Sequence, residues 1–311
     1  MLDVRRLRLL RELALRGTIA AVAEAFAFTP SAVSQQLSVL EREAGVPLLE
    51  RTGRRVTLTP AGQKLVLHAD AVLERLERAA AELVDARQGL AGPLRIGTFP
   101  TAARVILPAA LTTLARRHPG LEPMVSEIDP AAVANALRAG ELDVALIHDY
   151  DFVPSSAEPG LTTQPLCSES MYLASASPGQ ASDVSAISYW KDASWITATP
   201  GTLCHAMTVR ACQAAGFTPQ VRHQVDEFAT VLALVAAGQG VALVPQLGLI
   251  DAPPEAVLTR VPICRRTKIA FRSGADRHPA VTAIAAALRT AVPEELDSSA
   301  GKLRDALIKL A

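Results

Sequence analysis

The sequence is poor in aromatic residues and in cysteine, and it lacks an apolar run long enough to cross a membrane. Aromatic residues make up 4% of the 311 residues, so the predicted cores consist mainly of alanine, leucine and valine. No stretch reaches the ~18 consecutive apolar residues of a membrane span. The basic start, MLDVRRLRLLRELALRG, has neither the uncharged core nor the small-residue cleavage site of a signal peptide. These absences predict a cytoplasmic protein.

The cysteines, Cys167, Cys204, Cys212 and Cys264, form no CxxC pair and no cysteine–histidine cluster with the spacing of a zinc site. We therefore expect reduced thiols, no metal site and no cofactor. Common enzyme motifs are missing as well, because the sequence has no GxxxxGK[ST] loop and no GxSxG elbow. An enzyme remains the main alternative class. A solute-binding protein is a second alternative, but it would not explain residues 1–88.

The length of 311 residues predicts two or three domains. The formal net charge is zero, but residues 1–59 contain nine arginines and six acidic residues, an excess of three positive charges. The remainder of the chain therefore carries an excess of three negative charges. A basic N-terminal segment fits a module that contacts phosphates, although a solvated basic face is the alternative interpretation.

Residues 1–59 predict three short helices followed by a hairpin. Thr29 and Pro30 have the pattern of a cap and first residue for the third helix, and Gly45 follows its end. A tight hairpin is predicted at Thr52-Gly53, between the segments LLER and RVTL. This order of elements is typical of a winged helix-turn-helix domain.

A long helix is predicted from residue 60 to about residue 89, before glycines and Pro93 interrupt the chain at a hinge. Its apolar residues recur at spacings of four and three, which indicates the heptad seam of a dimerising coiled coil. An ordinary packed helix is the alternative. The seam consists of Leu65, Ala69, Val72, Leu76, Ala79 and Leu83.

From residue 94 the pattern changes to alternating strands and helices, which is typical of an α/β fold. A first set predicts a parallel βαβαβ run, and a second set follows a loop rich in proline, serine and glycine. We predict two linked α/β lobes of periplasmic-binding-protein type with a cleft between them. Strands are predicted over 94–99, 171–176 and 267–272, and one helix over 102–117. The effector-binding domain would span 90–311, with lobe one at about 92–163 and 266–292 and lobe two at about 164–265.

The predicted third helix has a polar face opposite an apolar one. Val33, Leu37 and Leu40 share the face that must pack inward. The opposite side chains can bond base edges or phosphates, which indicates a recognition helix in the major groove rather than a plain solvated face. They are Ser31, Ser34, Gln35, Ser38 and Arg42. The hairpin adds Arg51, Arg54 and Arg55, which would contact phosphates or the minor groove.

The stretch GTIAAVAEAFAFTPSAVSQQLSVLEREAGVPLLERTGRRVTLTPAG at 17–62 resembles the signature of LysR-type transcription regulators. LPAALTTLARRHPGLEP, LRAGELDVALI and LVAAGQGVALVP resemble parts of that family's effector domain, in the family's order. Matched by motif, the candidate DNA contacts are Pro30, Ser31, Ser34, Gln35 and Arg54. Gln35 stands where many members carry arginine, which leaves the bases read open.

The resemblance implies a regulator of transcription rather than an enzyme. It implies a linker coiled coil that joins two DNA-binding heads on an interrupted two-fold site of double-stranded DNA. It also implies two lobes that sense a small molecule, and a homodimer or homotetramer. RNA polymerase is a further candidate partner.

The effector site is predicted between the lobes, where strands end and helices begin. Candidate contacts are Phe99, Pro100, Thr101, Asp129, His148, Gly201, Thr202 and Glu227. Backbone N–H groups at the helix starts near Thr101 and Thr202 would suit a carboxylate on the effector. Asp129, Asp226 and Glu227 could instead hold an amino group, or could simply cap helices.

Some members of the LysR family sense oxidants with two cysteines in the region of Cys204 and Cys212. Cys212 has a similar place before the AAG turn, but Cys204 is out of register with the reactive cysteine of those relatives. Residues eight positions apart on one helix are about 12 Å apart, too far for a disulfide without local unfolding. Buried structural thiols are therefore the preferred interpretation.

Overall fold

The computed structural model describes residues 1–52, 55–85, 90–153, 157–179 and 185–296. The helices are α1 (Val4–Arg16), α2 (Ile19–Ala25), α3 (Pro30–Ala44), α4 (Pro60–Asp85), α5 (Pro100–Val105), α6 (Leu107–Arg117), α7 (Pro130–Ala139), α8 (Ser185–Tyr189), α9 (Leu203–Ala214), α10 (Phe228–Ala236) and α11 (Pro279–Ala291). The strands are β1 (Leu49–Thr52), β2 (Arg55–Leu58), β3 (Ala91–Thr98), β4 (Gly120–Glu127), β5 (Val144–Tyr150), β6 (Leu161–Ser175), β7 (Ser194–Thr197), β8 (Gln220–Gln224), β9 (Ala242–Pro245) and β10 (Val257–Arg272). In these ranges no helix is both long and apolar enough to cross a membrane.

The first three helices and the β1–β2 hairpin form the N-terminal head, and they confirm the predicted winged helix-turn-helix. Buried leucines and valines of α1–α3 make its core, and β1 pairs antiparallel with β2. Thr29 caps α3 by accepting a hydrogen bond from the Ala32 N–H (3.2 Å). Gly45 ends the helix with φ 70°, a conformation that favours glycine. The hairpin turn at residues 53–54 lies outside the described residues.

Helix α4 leaves the head and then packs along the C-terminal domain. It begins after Thr59, whose hydroxyl accepts a hydrogen bond from the Gly62 N–H (3.0 Å). Farther along, the helix meets the chain after β10, where a Cβ at Gly274 would lie 2.4 Å from the Glu74 carbonyl oxygen. This close approach leaves no space for a larger residue at Gly274.

A mixed sheet in the order β4-β3-β5-β10-β6-β9 runs through the C-terminal domain. β3 is parallel to β4 and β5 as predicted, and β10 returns antiparallel to β5. The parallel pair β7–β8 reaches β9 through a bridge between Trp195 and Val241. β3, β4 and β5 belong to lobe one, and β7, β8 and β9 belong to lobe two. The predicted two-lobed α/β architecture is therefore confirmed.

Two long strands connect the lobes, and the sequence predicted only parts of them. The strands predicted over 171–176 and 267–272 are the ends of β6 and β10. These two strands pair antiparallel along their length, with Leu161 opposite Arg272 at one end and Ser175 opposite Val257 at the other. Their other halves are rich in serine, threonine and arginine, which weakened the apolar pattern. The register shifts after Val261, where Pro262 has no N–H to donate.

Two further predictions need correction. The helix predicted over 102–117 is two helices that meet at Ile106, because Pro108 lacks the N–H that a continuous helix would use. β3 already begins at Ala91, so Pro93, predicted to be part of a hinge, lies inside a strand. The rest of that predicted hinge, at residues 86–89, lies outside the described residues. The short helix α8 was not predicted.

Candidate DNA-reading face and effector cavity

Helix α3 presents its polar face to solvent as predicted. Val33, Leu37 and Leu40 on the opposite face are at most 1% exposed. The exposed residues are Pro30, Ser31, Gln35, Ser38 and Arg42, and Ser34 is half-buried. A helix face of hydroxyl, amide and guanidinium groups can bond the base edges and phosphates of the major groove.

Contacts that the sequence analysis missed hold α3 in place. Arg6 of α1 donates from Nε to Gln36 Oε1 (2.9 Å) and also pairs with Glu43. The Glu41 carboxylate accepts a hydrogen bond from the Leu48 N–H (2.9 Å), which ties the helix to the hairpin. The flanks of α3 therefore hold the head together, while its outward face is left to a partner.

The predicted wing arginines flank the hairpin turn. Arg51 lies in β1 and Arg55 in β2, but their side chains, like all of Arg54, lie outside the described residues. Elsewhere in the head, Arg16 pairs with Glu12 (2.9 Å). Part of the basic excess is thus engaged within the chain rather than available to phosphates.

The predicted seam of α4 divides into two parts. Leu65 and Ala69 pack into the core of the head, so a partner within the chain already covers them. The exposed remainder consists of Val72 (38% exposed), Leu76 (48%), Ala79 and Leu83 (72%). The stripe available to a second copy is therefore shorter than the sequence indicated.

A cavity of about 880 Å³ lies between the two lobes. Elements of lobe one, including α5, α7 and β5, face it together with the starts of α9 and α10 from lobe two. All eight predicted effector contacts line it. Its volume is within the ~300–1,000 Å³ of small-molecule sites. In the described ranges, no group of three or more His, Cys, Asp or Glu side chains could hold a metal ion.

Arg265 on β10 lines the cavity, and the sequence analysis missed it. The residue is 1% exposed. Its Nε donates to Glu169 Oε1 (2.7 Å) and its Nη2 donates to Thr101 Oγ1 (2.8 Å). The second oxygen of Glu169 accepts from the Leu247 N–H (2.6 Å), which joins β6, β10, α5 and the turn after β9. Burial opposes the charge, but Glu169 holds the pKa of Arg265 above its usual value.

His148 on β5 is a second buried polar group of the cavity wall. It is 6% exposed, and neither ring nitrogen has a hydrogen-bond partner among the described residues. Its ring centroid lies 4.6 Å from that of Phe99 and 5.3 Å from that of Tyr150. Burial, with a smaller effect from the Arg265 charge, lowers the pKa of His148 to about 3. The ring is therefore neutral near pH 7, with one donor and one acceptor.

The polar residues at the helix starts are helix caps. Asp129 accepts a hydrogen bond from a backbone N–H of the first turn of α7 (2.8 Å), and Glu227 does the same in α10 (2.9 Å). The Thr202 hydroxyl donates to the Thr199 carbonyl (2.8 Å) and accepts from the His205 N–H (3.2 Å). The capping alternative is thus observed, and the Thr202 hydroxyl is already engaged in protein contacts.

The two cysteines of α9 have the character of structural thiols. Cys204 lines the cavity, with its Sγ 2.9 Å from the Tyr150 hydroxyl. Burial raises the pKa of Cys204, and it raises the pKa of the fully buried Cys212 to about 12. Because the thiolate is the reactive form, burial makes both thiols less reactive.

A winged helix-turn-helix joined through a long helix to a two-lobed domain with an internal cavity defines a class, the DNA-binding regulators controlled by a small molecule. Residues 4–63 match the family of bacterial regulatory helix-turn-helix proteins, lysR family, and residues 87–293 match the LysR substrate binding domain. The chain belongs to the LysR family of transcription regulators.

Known proteins resemble the chain over most of its length. A probable hydrogen peroxide-inducible genes activator of Mycobacterium avium is 31% identical over 270 residues, which cover 82% of this chain and 83% of the relative. A cysteine mutant of Corynebacterium glutamicum OxyR aligns with a TM-score of 0.57 at 28% identity, over 97% of this chain and 95% of that one. Full-length CbnR in complex with its target DNA aligns with a TM-score of 0.52 at 22% identity, over 93% of this chain and 99% of that one. This last match shows the shared fold.

Proposed function

We propose that this regulator binds a two-fold DNA site as a homodimer or homotetramer, and that a small molecule between the lobes alters that binding or the activity of the promoter. We assign residues 1–59 to the DNA-binding domain, 60–89 to the linker and 90–311 to the effector-binding domain. The observation that carries the proposal is the position of α7, which begins at the cavity and ends against the head.

Helix α7 has contacts at both ends. Asp129 and Pro130 at its start line the cavity, and its ten residues span about 15 Å. At its end, Arg8 of α1 donates to the Arg138 carbonyl oxygen (2.5 Å). Arg138 also pairs with Glu158 (2.7 Å), which itself lines the cavity. A ligand that shifts α7 therefore shifts a contact of the head.

The linker helix supplies a second connection to lobe one. Arg272 of β10 donates from Nε to Glu77 of α4 (2.9 Å) and from Nη1 to the Leu142 carbonyl oxygen (2.8 Å). Two independent contacts thus join the lobe to the head and its linker. Typical coupling free energies between sites are about 1–3 kcal/mol, or roughly 5–150-fold in affinity.

On the DNA side, α3 would enter the major groove. Gln35 would bond a base edge, Arg42 a guanine or a phosphate, and the wing arginines the backbone. The exposed stripe of α4 would pair two copies, so that two heads meet two half-sites. In this proposal the effector is bound and released without being chemically altered, so no catalytic residue is assigned. RNA polymerase at the promoter is a further partner, and the cytoplasm is the location.

Selection of binding sites from random DNA, followed by affinity measurement, tests the role of α3. Gln35→Ala should weaken specific binding by about 1–3 kcal/mol and relax one position of the site. Arg54→Ala should weaken binding to all DNA sequences more evenly and should lower the salt dependence of that binding. An unchanged sequence preference in Gln35→Ala would exclude this role for the helix.

Thermal-shift screening of metabolites tests the effector site, because a ligand that binds the native state raises the melting temperature. Any compound that stabilises the full chain is then added to titrations of its DNA site. We expect it to change the DNA affinity. A compound that binds between the lobes and leaves both DNA affinity and promoter activity unchanged would contradict the proposed regulation.

A further inference from the structure

Acidic side chains outnumber basic ones around the cavity between the lobes. Two cations line it in the described part of the chain, and each has a carboxylate partner outside the lining: Arg265 pairs with Glu169 (2.7 Å) and Lys268 with Asp149 (2.5 Å). The acidic lining residues are Glu127, Asp129, Glu158, Asp226 and Glu227. The cavity therefore presents negative charge.

Most of these carboxylates have no cationic partner. Glu158 pairs with Arg138, but the other four lie beyond 4 Å from every basic side chain that the structure describes. Asp129 and Glu227 accept hydrogen bonds from backbone N–H groups, and Asp226 accepts from the Thr199 N–H (2.8 Å) and hydroxyl (2.7 Å). These bonds fix three of the four carboxylates in position, and none of the four has a cation among the described residues to neutralise it.

His148 supplies a second and independent observation. A buried polar group without a hydrogen-bond partner is unfavourable, and both nitrogens of this ring have none among the described residues. The ring lines the cavity with both nitrogens just beneath the surface, so a bound molecule reaches one of them when the ring turns. A neutral imidazole can donate to one ligand atom or accept from another, and a hydroxyl group satisfies either role.

Apolar groups make up much of the remaining wall, among them Phe99, Val133, Leu203 and Phe228. We propose that the effector is a small amine, with a protonated amino group facing the carboxylates, an apolar body, and a hydroxyl or similar polar group bonded to His148. The inference rests on the proposed function and names the chemical class of its ligand.

A carboxylate effector, the other alternative, would meet less favourable groups. Helix α5 has six residues, too few for a strong dipole at Thr101, and the Thr202 hydroxyl is engaged within the protein. Both lining cations are neutralised before a ligand arrives. A carboxylate would therefore lie among four like charges without an unpaired cation to balance it.

Three matched probes test the inference on the full chain by calorimetry. Tyramine carries an ammonium and a hydroxyl, 3-(4-hydroxyphenyl)propionate replaces the ammonium by a carboxylate, and 2-phenylethylamine lacks the hydroxyl. We expect tyramine to bind at least about tenfold more tightly than the propionate, a difference of roughly 1.4 kcal/mol. Tyramine should also bind several times more tightly than 2-phenylethylamine. Equal or tighter binding of the propionate, or binding of none of the three, would overturn the inference.

Variants locate the binding. Glu127→Gln removes one cavity charge with little change of shape and should weaken the binding of tyramine several-fold. Glu122→Gln, on the same strand but outside the cavity, is the matched control and should bind tyramine like the wild type. In His148→Phe the advantage of tyramine over 2-phenylethylamine should disappear. Unchanged tyramine affinity in Glu127→Gln together with a retained hydroxyl advantage in His148→Phe would place the amine elsewhere.

DNA titrations with the same probes separate this inference from the proposed function. If the propionate binds and changes DNA affinity, the inference that the effector is an amine is wrong, but the proposed regulator function stands. If tyramine binds as expected but neither DNA affinity nor promoter activity changes, the ligand class stands and the regulatory role of the cavity is wrong.

Discussion

The proposed DNA-reading face of α3 and the cavity between the lobes use their polar residues in opposite ways. On α3, Gln35 and Arg42 are exposed and the bonds that stabilise the head lie on its flanks. In the cavity, the cations Arg265 and Lys268 are neutralised within the chain before any ligand binds. DNA meets a folded surface in water, whereas a cation buried as deeply as Arg265 needs a partner charge within the folded domain.

The sharpest test of this difference is to break the buried pair. Arg265→Met leaves the Glu169 carboxylate buried without its cation, so it should lower the free energy of unfolding by about 3–5 kcal/mol. Denaturant unfolding measures the loss. The double variant Arg265→Met/Glu169→Gln keeps an oxygen for the Leu247 N–H and should recover much of it. If the single and double variants were equally unstable, charge compensation would not be what this pair contributes.

A second test concerns the exposed stripe of α4. Leu76→Asp places a charge in the proposed seam, so the chain should become monomeric in sedimentation. Loss of simultaneous contact with two half-sites should then lower DNA affinity by about a hundredfold or more. Because Leu76 also lines a smaller cavity of about 430 Å³ beside the head, Leu83→Asp serves as a second seam variant.

Leu67→Asp is the matched control for the seam. Leu67 is 71% exposed and Leu83 is 72% exposed, but Leu67 lies off the seam. The control should remain an oligomer with wild-type DNA affinity. Should both seam variants stay oligomeric as well, α4 would not be the main contact between copies.

The comparison also explains which parts of the site the sequence could predict. The outward face of α3 follows from the helical period, once Val33 and Leu40 are assigned to the core. The cavity residues at the starts of helices, such as Thr101 and Thr202, were predictable because caps and strand ends have local patterns. Arg265 had no such signal, since its role depends on Glu169, 96 positions away.

Long-range pairing limited the fold prediction in the same way. β6 and β10 stabilise each other along their whole length, so the halves with weak apolar patterns are strands only because a partner lies beside them. Leu65 and Ala69 fit the heptad pattern as well as Val72 does, yet the head covers them. A periodic pattern identifies the buried stripe but not the surface that buries it.

A third, smaller effect should follow from the low pKa of His148. The folded value of about 3 lies below the ordinary 6.5, so between these pH values the unfolded chain binds more protons. This contribution to stability is complete above about pH 6.5 and is lost as the pH falls, by at most about 1.4 kcal/mol per pH unit. The denaturant midpoint should therefore fall more between pH 7 and pH 5 in the wild type than in His148→Phe. Parallel losses in the two proteins would show that the ring is not held neutral.

The smallest expected effect is that of peroxide. A relative is named as a probable hydrogen peroxide-inducible genes activator, but burial raises the pKa of Cys204 and of Cys212 in this chain. Brief treatment with micromolar peroxide should leave DNA affinity unchanged, and Cys204→Ser should behave like the wild type. A peroxide response that Cys204→Ser abolishes would make this thiol a sensor.

The connection through α7 is tested most directly by the DNA affinity of the wild type and of Arg8→Met, each with and without a ligand of the cavity. Arg8→Met removes the donor to the Arg138 carbonyl oxygen. We expect the ligand to change wild-type affinity by about 5–150-fold, and to change the affinity of the variant much less. Arg116→Met, on the exposed end of α6, should respond like the wild type. An Arg8→Met protein that binds the ligand and responds with the full wild-type change would contradict the account.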